Sequence, residues 1–249
     1  MAVICIDAGN TFAKIALMEN AAAISQATFP CNDPDGIRDY LQTLPAVEGA
    51  IISSVSAPVQ EIARLMPPEI PACMELTGDT PAPVRNLYRT PASLGNDRLA
   101  AITGAGRLYP KKDILVIDAG TALTFDFLDK DGNFVGGNIS PGLNMRFQAL
   151  HRFTKKIPMV APSHHYEFIG NSTETAVISG VQNGIIFEIN QYIRHFKKQN
   201  AETIFVMTGG DIIFFVNKTE SIIFAQPNLV HIGLEEIFKF NVKFVKKFS

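Results

Sequence analysis

The sequence contains little that would indicate a disulfide-bonded, metal-binding or membrane protein. Its three cysteines, Cys5, Cys31 and Cys73, occur in no C-x-x-C spacing, so neither a disulfide framework nor a zinc site is indicated. The longest apolar runs, such as residues 212–216, are far shorter than the roughly 18 residues that a membrane helix requires. The segment before Asp7 has no basic residues and does not resemble a signal peptide. We therefore expect a cytoplasmic protein that has no membrane partner.

An excess of basic residues is also absent. The 249 residues include 22 Lys plus Arg and 24 Asp plus Glu, for a net charge of −2, whereas nucleic-acid-binding surfaces are usually basic. Lys and Phe alternate over residues 238–248, and we interpret this segment as an amphipathic terminal helix or strand. Nucleic acid is therefore not an expected partner.

Several common catalytic motifs are missing. The sequence has no Gly-Lys dipeptide and no G-x-G-x-x-G after a predicted strand, which excludes a Walker P-loop and the usual dinucleotide-binding turn. It also has no H-E-x-x-H and no G-x-S-x-G, the motifs of zinc proteases and of many hydrolases. Phosphoryl transfer by another architecture is the enzyme class that remains.

Glycine-centred turns are the most informative feature present. Residues 7–11, Asp-Ala-Gly-Asn-Thr, follow one apolar segment and precede another, and residues 118–121, Asp-Ala-Gly-Thr, do the same about half the chain later. Both patterns predict a strand, a polar turn and a second strand. The repetition predicts a duplicated protein with domains at 1–112 and 113–249.

Predicted strands and helices alternate in both halves, which indicates an α/β fold. Strands are predicted at 3–6, 14–18, 50–55, 114–117, 122–128, 133–139, 203–207 and 222–224. Helices are predicted at 35–43, 58–65, 96–108, 172–198, from about 142 to 152, and from about Gly233 to the end.

Turns of this kind suit a phosphate ligand. They expose backbone N–H groups, and glycine lets the backbone approach a ligand closely. The Asp can hold a cation, or a metal-bound water, that neutralises phosphate charge. A single Asp-Gly turn would be an ordinary hairpin turn, but two copies and a third cluster at residues 208–211 favour nucleotide binding.

Four ordered segments resemble the motifs of the type III pantothenate kinases. Residues 7–11 with Lys14 resemble D-x-G-N-T, residues 88–98 resemble Y-x-x-P-x-x-L-G-x-D-R, residues 118–126 resemble D-x-G-T-A-x-T, and residues 136–142 resemble G-G-x-I-x-P-G. Residues 169–180, 208–210 and 229–234 continue the similarity, which covers nearly the whole chain.

The resemblance implies duplicated ribonuclease H-like domains of the actin-like ATPase superfamily, with a cleft between them. It implies ATP-dependent phosphorylation of pantothenate to 4′-phosphopantothenate, the first step of coenzyme A biosynthesis. A divalent cation such as Mg²⁺ and a monovalent cation, K⁺ or NH₄⁺, are the expected cofactors. A homodimer with an active site shared across its interface is the expected assembly.

The resemblance also assigns substrate residues, each with a structural alternative. Asp97 is expected to act as base or orienter for the attacking hydroxyl, although it could simply cap the following helix. Arg98 has a planar guanidinium that can pair with both oxygens of the pantothenate carboxylate. Its structural alternative is a surface ion pair. Tyr88 and Gly95 would line the pantothenate pocket, or Tyr88 would be a half-buried loop aromatic. Thr173 would contact the substrate of the neighbouring subunit, or serve at a helix N-terminus.

The resemblance also implies the ATP and cation residues, which lie at or near the two turns. Asp7 is expected to hold the Mg²⁺-bound water of ATP, and Asp118 the monovalent cation. Lys14 would contact the transferred phosphate, or remain a solvated charge. The remaining expected ATP contacts are Gly9, Asn10, Thr11, Gly120 and Thr121.

Two other functions stay open on the sequence. One is a non-catalytic regulator of the Bvg accessory factor type, which shares the fold, although the presence of Asp7, Asp97, Arg98 and Asp118 argues against an inactive site. The other is a related kinase that acts on a sugar or a small acid. The segment 88–98 argues against it, because that segment resembles the part dedicated to pantothenate.

Overall fold

The computed structural model describes residues 2–55 and 58–245 and divides them into two compact units. The first unit contains the described residues up to Lys111, together with 131–134 and 228–245, and the second contains 112–130 and 135–227. The segment from Asn228 onward thus belongs to the first unit, whereas the sequence prediction grouped it with residues 113–249. The end of the Lys-Phe segment, residues 246–248, lies outside the described residues.

Strands and helices alternate along the chain, as predicted for an α/β protein. In chain order the elements are β1 Val3–Ala8, β2 Phe12–Glu19, β3 Ala22–Pro30, α1 Pro34–Thr43, β4 Gly49–Ser54, α2 Val59–Ala63, β5 Cys73–Glu75, β6 Arg85–Asn86, α3 Asn96–Leu108, β7 Ile114–Ala119, β8 Ala122–Leu128, β9 Asn133–Pro141, α4 Leu143–Phe153, α5 Thr173–Gln199, β10 Ile204–Thr208, α6 Ile212–Phe215, β11 Phe224–Ala225 and α7 Leu229–Val245. Among the described helices, none combines the length and the hydropathy needed to cross a membrane.

The first unit is built on a five-stranded sheet of order β3-β2-β1-β4-β5. β1 pairs antiparallel with β2 and parallel with β4, so β1 lies in the middle and its residues are almost fully buried. One face of these strands, including Ile4, Ile15 and Ile52, packs in a core with Ile37 of α1 and Ile62 of α2. α7 packs against the same central strands, where the ring of Phe238 approaches Gly49 of β4.

α3 and α7 pack together with their backbones in near contact. A Cβ on Gly233 of α7 would lie 1.7 Å from the carbonyl oxygen of Ala100, and one on Gly104 of α3 would lie 2.3 Å from that of Leu229. Only glycine permits this approach. The last helix begins at Leu229, so the prediction that it begins near Gly233 is wrong. An interior glycine costs a helix about 1 kcal/mol, but here the glycine allows the two helices to pack closely.

The second unit contains strands β11-β10-β7-β8-β9 in spatial order. β7 pairs antiparallel with β8 and parallel with β10, which repeats the arrangement of β1 with β2 and β4. Its core joins one face of these strands, including Ile117 and Phe205, to Phe147 of α4 and Ile185 of α5. The first residues of β9, Asn133 and Phe134, belong to the first unit and pair with β6.

The sequence analysis did not predict β3, β5 or β6. β3 is long, but its residues alternate between exposed and half-buried positions, and Ala and Gln are weak strand formers. β5 and β6 have three and two residues, and their pairing with β4 and β9 is a tertiary event. Short or exposed strands carry too little hydrophobic pattern for a prediction.

Candidate active site

The first glycine turn lies at the end of the central strand β1. Asp7 faces Lys14 of β2 and Ser53 of β4 in the strand register, so these side chains share one face of the sheet. The turn is closed by the N–H of Gly9, which donates to the carbonyl of Phe12 at 3.0 Å. Asn10, Thr11 and the side chain of Lys14 are exposed. The turn therefore presents backbone and polar groups to solvent at the edge of a buried sheet.

The space beside Gly9 is not needed by the fold. A Cβ built on Gly9 would meet only the Phe12 carbonyl oxygen, at an ordinary 3.4 Å, and Gly9 has no positive φ. Folding alone therefore does not require glycine here. The open space beside Gly9 leaves room for a ligand to approach the backbone.

The surroundings of Asp7 disfavour the charged form of its side chain. Burial of its carboxyl raises the pKa from 3.8 to about 6, the negative charge of Asp97 adds to the increase, and Lys14 opposes it. The structure thus brings together three residues that the sequence analysis assigned to catalysis and ATP. A cation held near this pair of carboxylates would relieve the cost of burying the charge.

Asp97 lies in the first turn of α3, where one carboxylate oxygen accepts the N–H of Arg98 at 2.8 Å. Gly95 precedes the helix, and a Cβ there would lie 2.5 Å from the same oxygen. Gly95 therefore makes room for the carboxylate. Asp97 does not fill the predicted capping role, because the N-cap residue is Gly95 and no side chain caps the helix. The bond from the Arg98 N–H fixes the carboxylate near Asp7.

Arg98 is 7% exposed, so the predicted alternative of a surface ion pair is wrong. Its guanidinium carbon lies 5.5 Å from the ring centre of Tyr88 and 5.9 Å from that of Phe134. The two rings are nearly parallel, with centres 6.1 Å apart. Cation–π contacts of this kind hold an arginine in place. The sequence analysis identified Tyr88 and Arg98 but missed Phe134, which β9 contributes from a distant segment.

The second glycine turn has the same construction. Asp118 ends β7 opposite Thr124 of β8 and Thr208 of β10, and the N–H of Gly120 donates to Ala122 at 3.0 Å. Thr124 donates its hydroxyl to Asp126 at 3.2 Å. Several polar side chains, each buried or half-buried, thus surround the end of β7.

Two further glycines pack against this second turn. A Cβ on Gly142 would lie 2.2 Å from the Gly120 carbonyl oxygen, and one on Gly209 would lie 2.4 Å from the Asp118 carboxylate. Gly209 also has a φ of +98°, which favours glycine. The N–H of Asp211 donates to Ala119 at 2.8 Å. Three glycine motifs that are far apart in the sequence therefore meet at Asp118.

Thr173 is exposed at the first position of α5. The helix is capped by Ser172, whose hydroxyl accepts the N–H of Thr175, while Thr175 reciprocates toward the Ser172 N–H. The predicted capping role therefore belongs to Ser172 and Thr175. Thr173 lines a groove of about 720 Å³ with Pro141, Arg146, Gly180 and six other residues.

Arg146 is a residue that the sequence analysis missed. Its Nε donates to the Pro141 carbonyl at 2.8 Å, Nη2 donates to the Ser140 hydroxyl at 2.9 Å, and the guanidinium pairs with Glu188. These bonds hold the end of β9 just before Gly142, which packs on the second turn. A basic residue one turn into a helix carries no sequence signal for this role.

The residues around Asp7 fit the expected divalent cation, although protein side chains alone do not form a complete set of metal ligands there. Within residues 2–55 and 58–245, no group of three or more His, Cys, Asp or Glu side chains is arranged to hold a metal. Mg²⁺ bound to a nucleotide normally uses one or two carboxylates, water and phosphate oxygens, so Asp7 alone is enough. The buried Ser53 hydroxyl beside Asp7 has no hydrogen-bond partner within the described chain, as expected of a group that meets a bound water.

Similar sequences are found among known proteins. A family model described as type III pantothenate kinase matches residues 3–195. A type III pantothenate kinase of Phocaeicola vulgatus is 42% identical over 240 residues, covering 96% of this chain and 98% of the relative.

Solved structures share the fold at low sequence identity. A Baf family protein of Campylobacter jejuni, described as a transcriptional activator, has a TM-score of 0.62 at 21% identity and covers 96% of this chain and 99% of its own. A glucokinase from an Antarctic psychrotroph has a TM-score of 0.52 at 11% identity, with 96% and 99% covered. The fold is that of the actin-like ATPases, as the sequence analysis expected.

Replacing Asp7 by Asn should stabilise the cation-free protein above pH 6. Because the folded-state pKa is raised to about 6, the folded protein binds more protons than the unfolded one between about pH 4 and 6, and stability falls as pH rises. Asp7→Asn should gain up to about 3 kcal/mol at pH 8 and little at pH 4. Urea unfolding at both pH values measures this. A gain independent of pH, or an equal gain in the exposed control Asp79→Asn, would contradict it.

Gly9→Ala and Gly142→Ala should separate ligand clearance from fold clearance. Gly9→Ala should change the free energy of unfolding by less than about 1 kcal/mol yet raise the KM for ATP at least about tenfold, because the methyl group would fill ligand space. Gly142→Ala should be clearly destabilised, since its Cβ would strike the Gly120 carbonyl. Steady-state kinetics and thermal unfolding provide the measurements. An unchanged KM for ATP in Gly9→Ala would show that no ligand approaches this turn.

Proposed function

The chain belongs to the type III pantothenate kinase family, whose members phosphorylate pantothenate in coenzyme A biosynthesis, and from this premise we propose how its residues divide the reaction. The observation that supports the division best is the electrostatic coupling of Asp7 to Asp97. It supports a division in which one carboxylate, Asp7, serves the cation and the other, Asp97, serves the hydroxyl proton.

In the proposed reaction, Asp97 orients the 4′-hydroxyl of pantothenate and accepts its proton. The hydroxyl oxygen attacks the γ-phosphorus of ATP, the bond to the β-phosphate oxygen breaks, and ADP leaves. The bond from the Arg98 N–H to Asp97 fixes the carboxylate, which matters because a displacement of about 1 Å can cost on the order of 100-fold in rate. Asp97 stays available as a base because its other oxygen is not used by that bond.

Arg98, Tyr88 and Gly95 form the proposed pantothenate pocket. The guanidinium is desolvated and lies over two aromatic rings, so a carboxylate that reaches it would form a strong charge-assisted bond. Gly95 keeps this segment of backbone free of a side chain that would displace Asp97. These features support recognition of a carboxylate-bearing alcohol.

The two glycine turns are the proposed nucleotide and cation sites. Asn10 and Thr11 would contact phosphate through N–H and hydroxyl groups, with Lys14 nearby on β2, while Gly9 would leave room for the phosphate because its own N–H closes the turn. Thr121 would make the same contact in the second unit, beside Gly120. A divalent cation supplies neutralisation of the phosphate charge when bound, and Asp7 would hold its water. Asp118, crowded by the backbone of Gly209, would hold K⁺ or NH₄⁺.

A homodimer is the proposed assembly, with Thr173 reaching the substrate of the partner subunit. Large apolar side chains remain exposed on the same unit: Phe153 is 82% exposed, Phe168 67%, Ile169 79% and Phe187 56%. Exposed apolar surface of this extent often marks a protein interface. The exposed Thr173 hydroxyl and the adjoining groove support a role in trans.

The family assignment disfavours both alternatives left by the sequence. The structural similarity to a protein described as a transcriptional activator is at 21% identity and therefore concerns the fold alone. A regulator without catalytic activity would not need Asp7 and Asp97 to lie close together.

Asp97→Asn should lose about 10²–10⁴-fold in kcat, the usual worth of a general base, while ATP affinity changes little. The purified protein should consume ATP only with pantothenate and a divalent cation, and faster with K⁺ or NH₄⁺ than with Na⁺. A coupled ADP assay with this ion series and nucleotide titration test both statements. Full activity in Asp97→Asn, or no product from pantothenate under any of these ions, would overturn the assignment.

Mixing two impaired variants at a low pantothenate concentration tests the shared site. Thr173→Glu should raise the KM for pantothenate strongly, because it adds a negative charge near an anionic substrate, whereas Glu174→Ala at the adjacent exposed position should not. If Thr173 acts in trans, mixed dimers of Thr173→Glu with Asp97→Asn contain one intact site and should recover up to about half of the wild-type activity per dimer. No recovery on subunit exchange, or a monomer in light scattering, would contradict the shared site.

A further inference from the structure

α7 contacts the phosphate-binding hairpin from outside the site through two buried side chains. His231 is 5% exposed and Glu235 is 3% exposed. They are four residues apart and therefore lie on one face of the helix. His231 Nε2 lies 3.2 Å from the carbonyl oxygen of Lys14, and Glu235 accepts the N–H of Ala21 at 2.7 Å. The His231 contact lies near the beginning of β2, and the Glu235 contact lies just beyond its end.

The contact at Ala21 holds a strained turn. Asn20 and Ala21 have φ values of 52° and 63°, in the left-handed region that disfavours residues with a Cβ. Glu235 receives the N–H of Ala21 and is itself paired with Lys239. A buried carboxylate would be costly without such partners. The far end of β2 is therefore anchored to α7.

The contact at Lys14 fixes the other end, opposite Asp7. Burial lowers the pKa of His231 from 6.5 to about 4, so the ring is neutral above that pH and carries one N–H. Donation from Nε2 to the Lys14 carbonyl assigns that proton to Nε2. Nδ1 then lacks a hydrogen-bond partner within the described chain. A buried apolar residue at this position would avoid the cost of an unpartnered Nδ1. The advantage of histidine here is therefore its bond to the Lys14 carbonyl.

α7 is also in backbone contact with α3, the helix that carries Asp97 in its first turn. Two residues beyond His231, Gly233 packs on the carbonyl of Ala100, one turn into α3. No side chain separates the two helices at this point, so the contact has little freedom to adjust. Asp97 on α3 and the hairpin of Asp7 and Lys14 are therefore both located relative to one rigid helix.

We propose that His231 is a positioning residue that holds the Asp7–Lys14 hairpin at a fixed distance from Asp97. It touches neither substrate in this assignment, and the inference rests on the proposed roles of Asp97 and the hairpin. The hairpin carries the phosphate and Asp97 carries the hydroxyl, so their separation determines whether the reacting atoms are aligned. Loss of the His231 bond should therefore reduce kcat, with little effect on the Tyr88 and Arg98 pocket.

Three substitutions at His231 test the proposal. His231→Leu should lower kcat at least about fivefold, leave the KM for pantothenate within about twofold, and keep Tm within about 3 °C of the wild type, because the unpartnered Nδ1 is removed together with the bond. His231→Gln can place an amide N–H near the position of Nε2 and should keep more than half of kcat. His231→Asn reaches only the position of Nδ1 and should resemble His231→Leu.

Asn241→Leu is the matched control. Asn241 also lies on α7 and donates to a backbone carbonyl, that of Pro81, at 2.9 Å, but away from the hairpin. It should leave kcat unchanged. An equal loss in this control would mean that α7 stability alone is responsible and would overturn the proposal.

The outcomes separate this inference from the proposed function. Wild-type protein that does not phosphorylate pantothenate would overturn both. Active wild type with unchanged kcat in His231→Leu would overturn the positioning role alone, and so would equal kcat values in His231→Gln and His231→Asn. This last comparison decides the question even if His231→Leu does not fold.

Discussion

The candidate site of the first unit depends on holding the Asp7 carboxylate partly out of water and close to Asp97. Asp7 is half-buried near the end of the central strand; desolvation raises its pKa, and the charge of Asp97 adds to the increase. Both effects disfavour the charged form of Asp7, so the surrounding structure has to hold the two side chains rigidly in place. The central sheet, the turn at Gly95 and the glycine-mediated packing of α3 on α7 together supply that rigidity. The destabilised pair is also what makes the site attractive to a cation.

The same backbone turn occurs twice but in different surroundings. At Gly9 the turn is open, and a Cβ would meet only its own loop, whereas at Gly120 the backbones of Gly142 and Gly209 press against the turn and against Asp118. An open turn suits a phosphate that arrives and leaves. A crowded turn with a carboxylate at its centre suits a small cation that is enclosed. The chain therefore contains two turns of one design with different proposed ligands.

Much of the fold was predictable because its signals are local. Both strand-turn-strand units, the boundaries of α3 and the long helix α5 follow from short patterns of apolar residues, glycine and capping residues. β3 was missed because its side chains are only partly buried. The start of α7 was missed because glycine is a weak helix former, whereas here Gly233 lies inside the helix and packs on α3, which is distant in the sequence. The resemblance of residues 88–98 led to Tyr88 and Arg98, but no local pattern points to Phe134, which shares the cation–π cluster.

The sequence by itself determined the α/β class, the two Asp-Gly turns, the family and the residues available for chemistry, because each is encoded in a contiguous segment. Only the tertiary structure decided that Asp97 lies close enough to Asp7 to change its pKa, that Phe134 and Tyr88 enclose Arg98, and that His231 reaches the hairpin. These arrangements depend on distances between segments far apart in the chain. Such distances are set by core packing and by backbone approach at glycine, which no local pattern encodes.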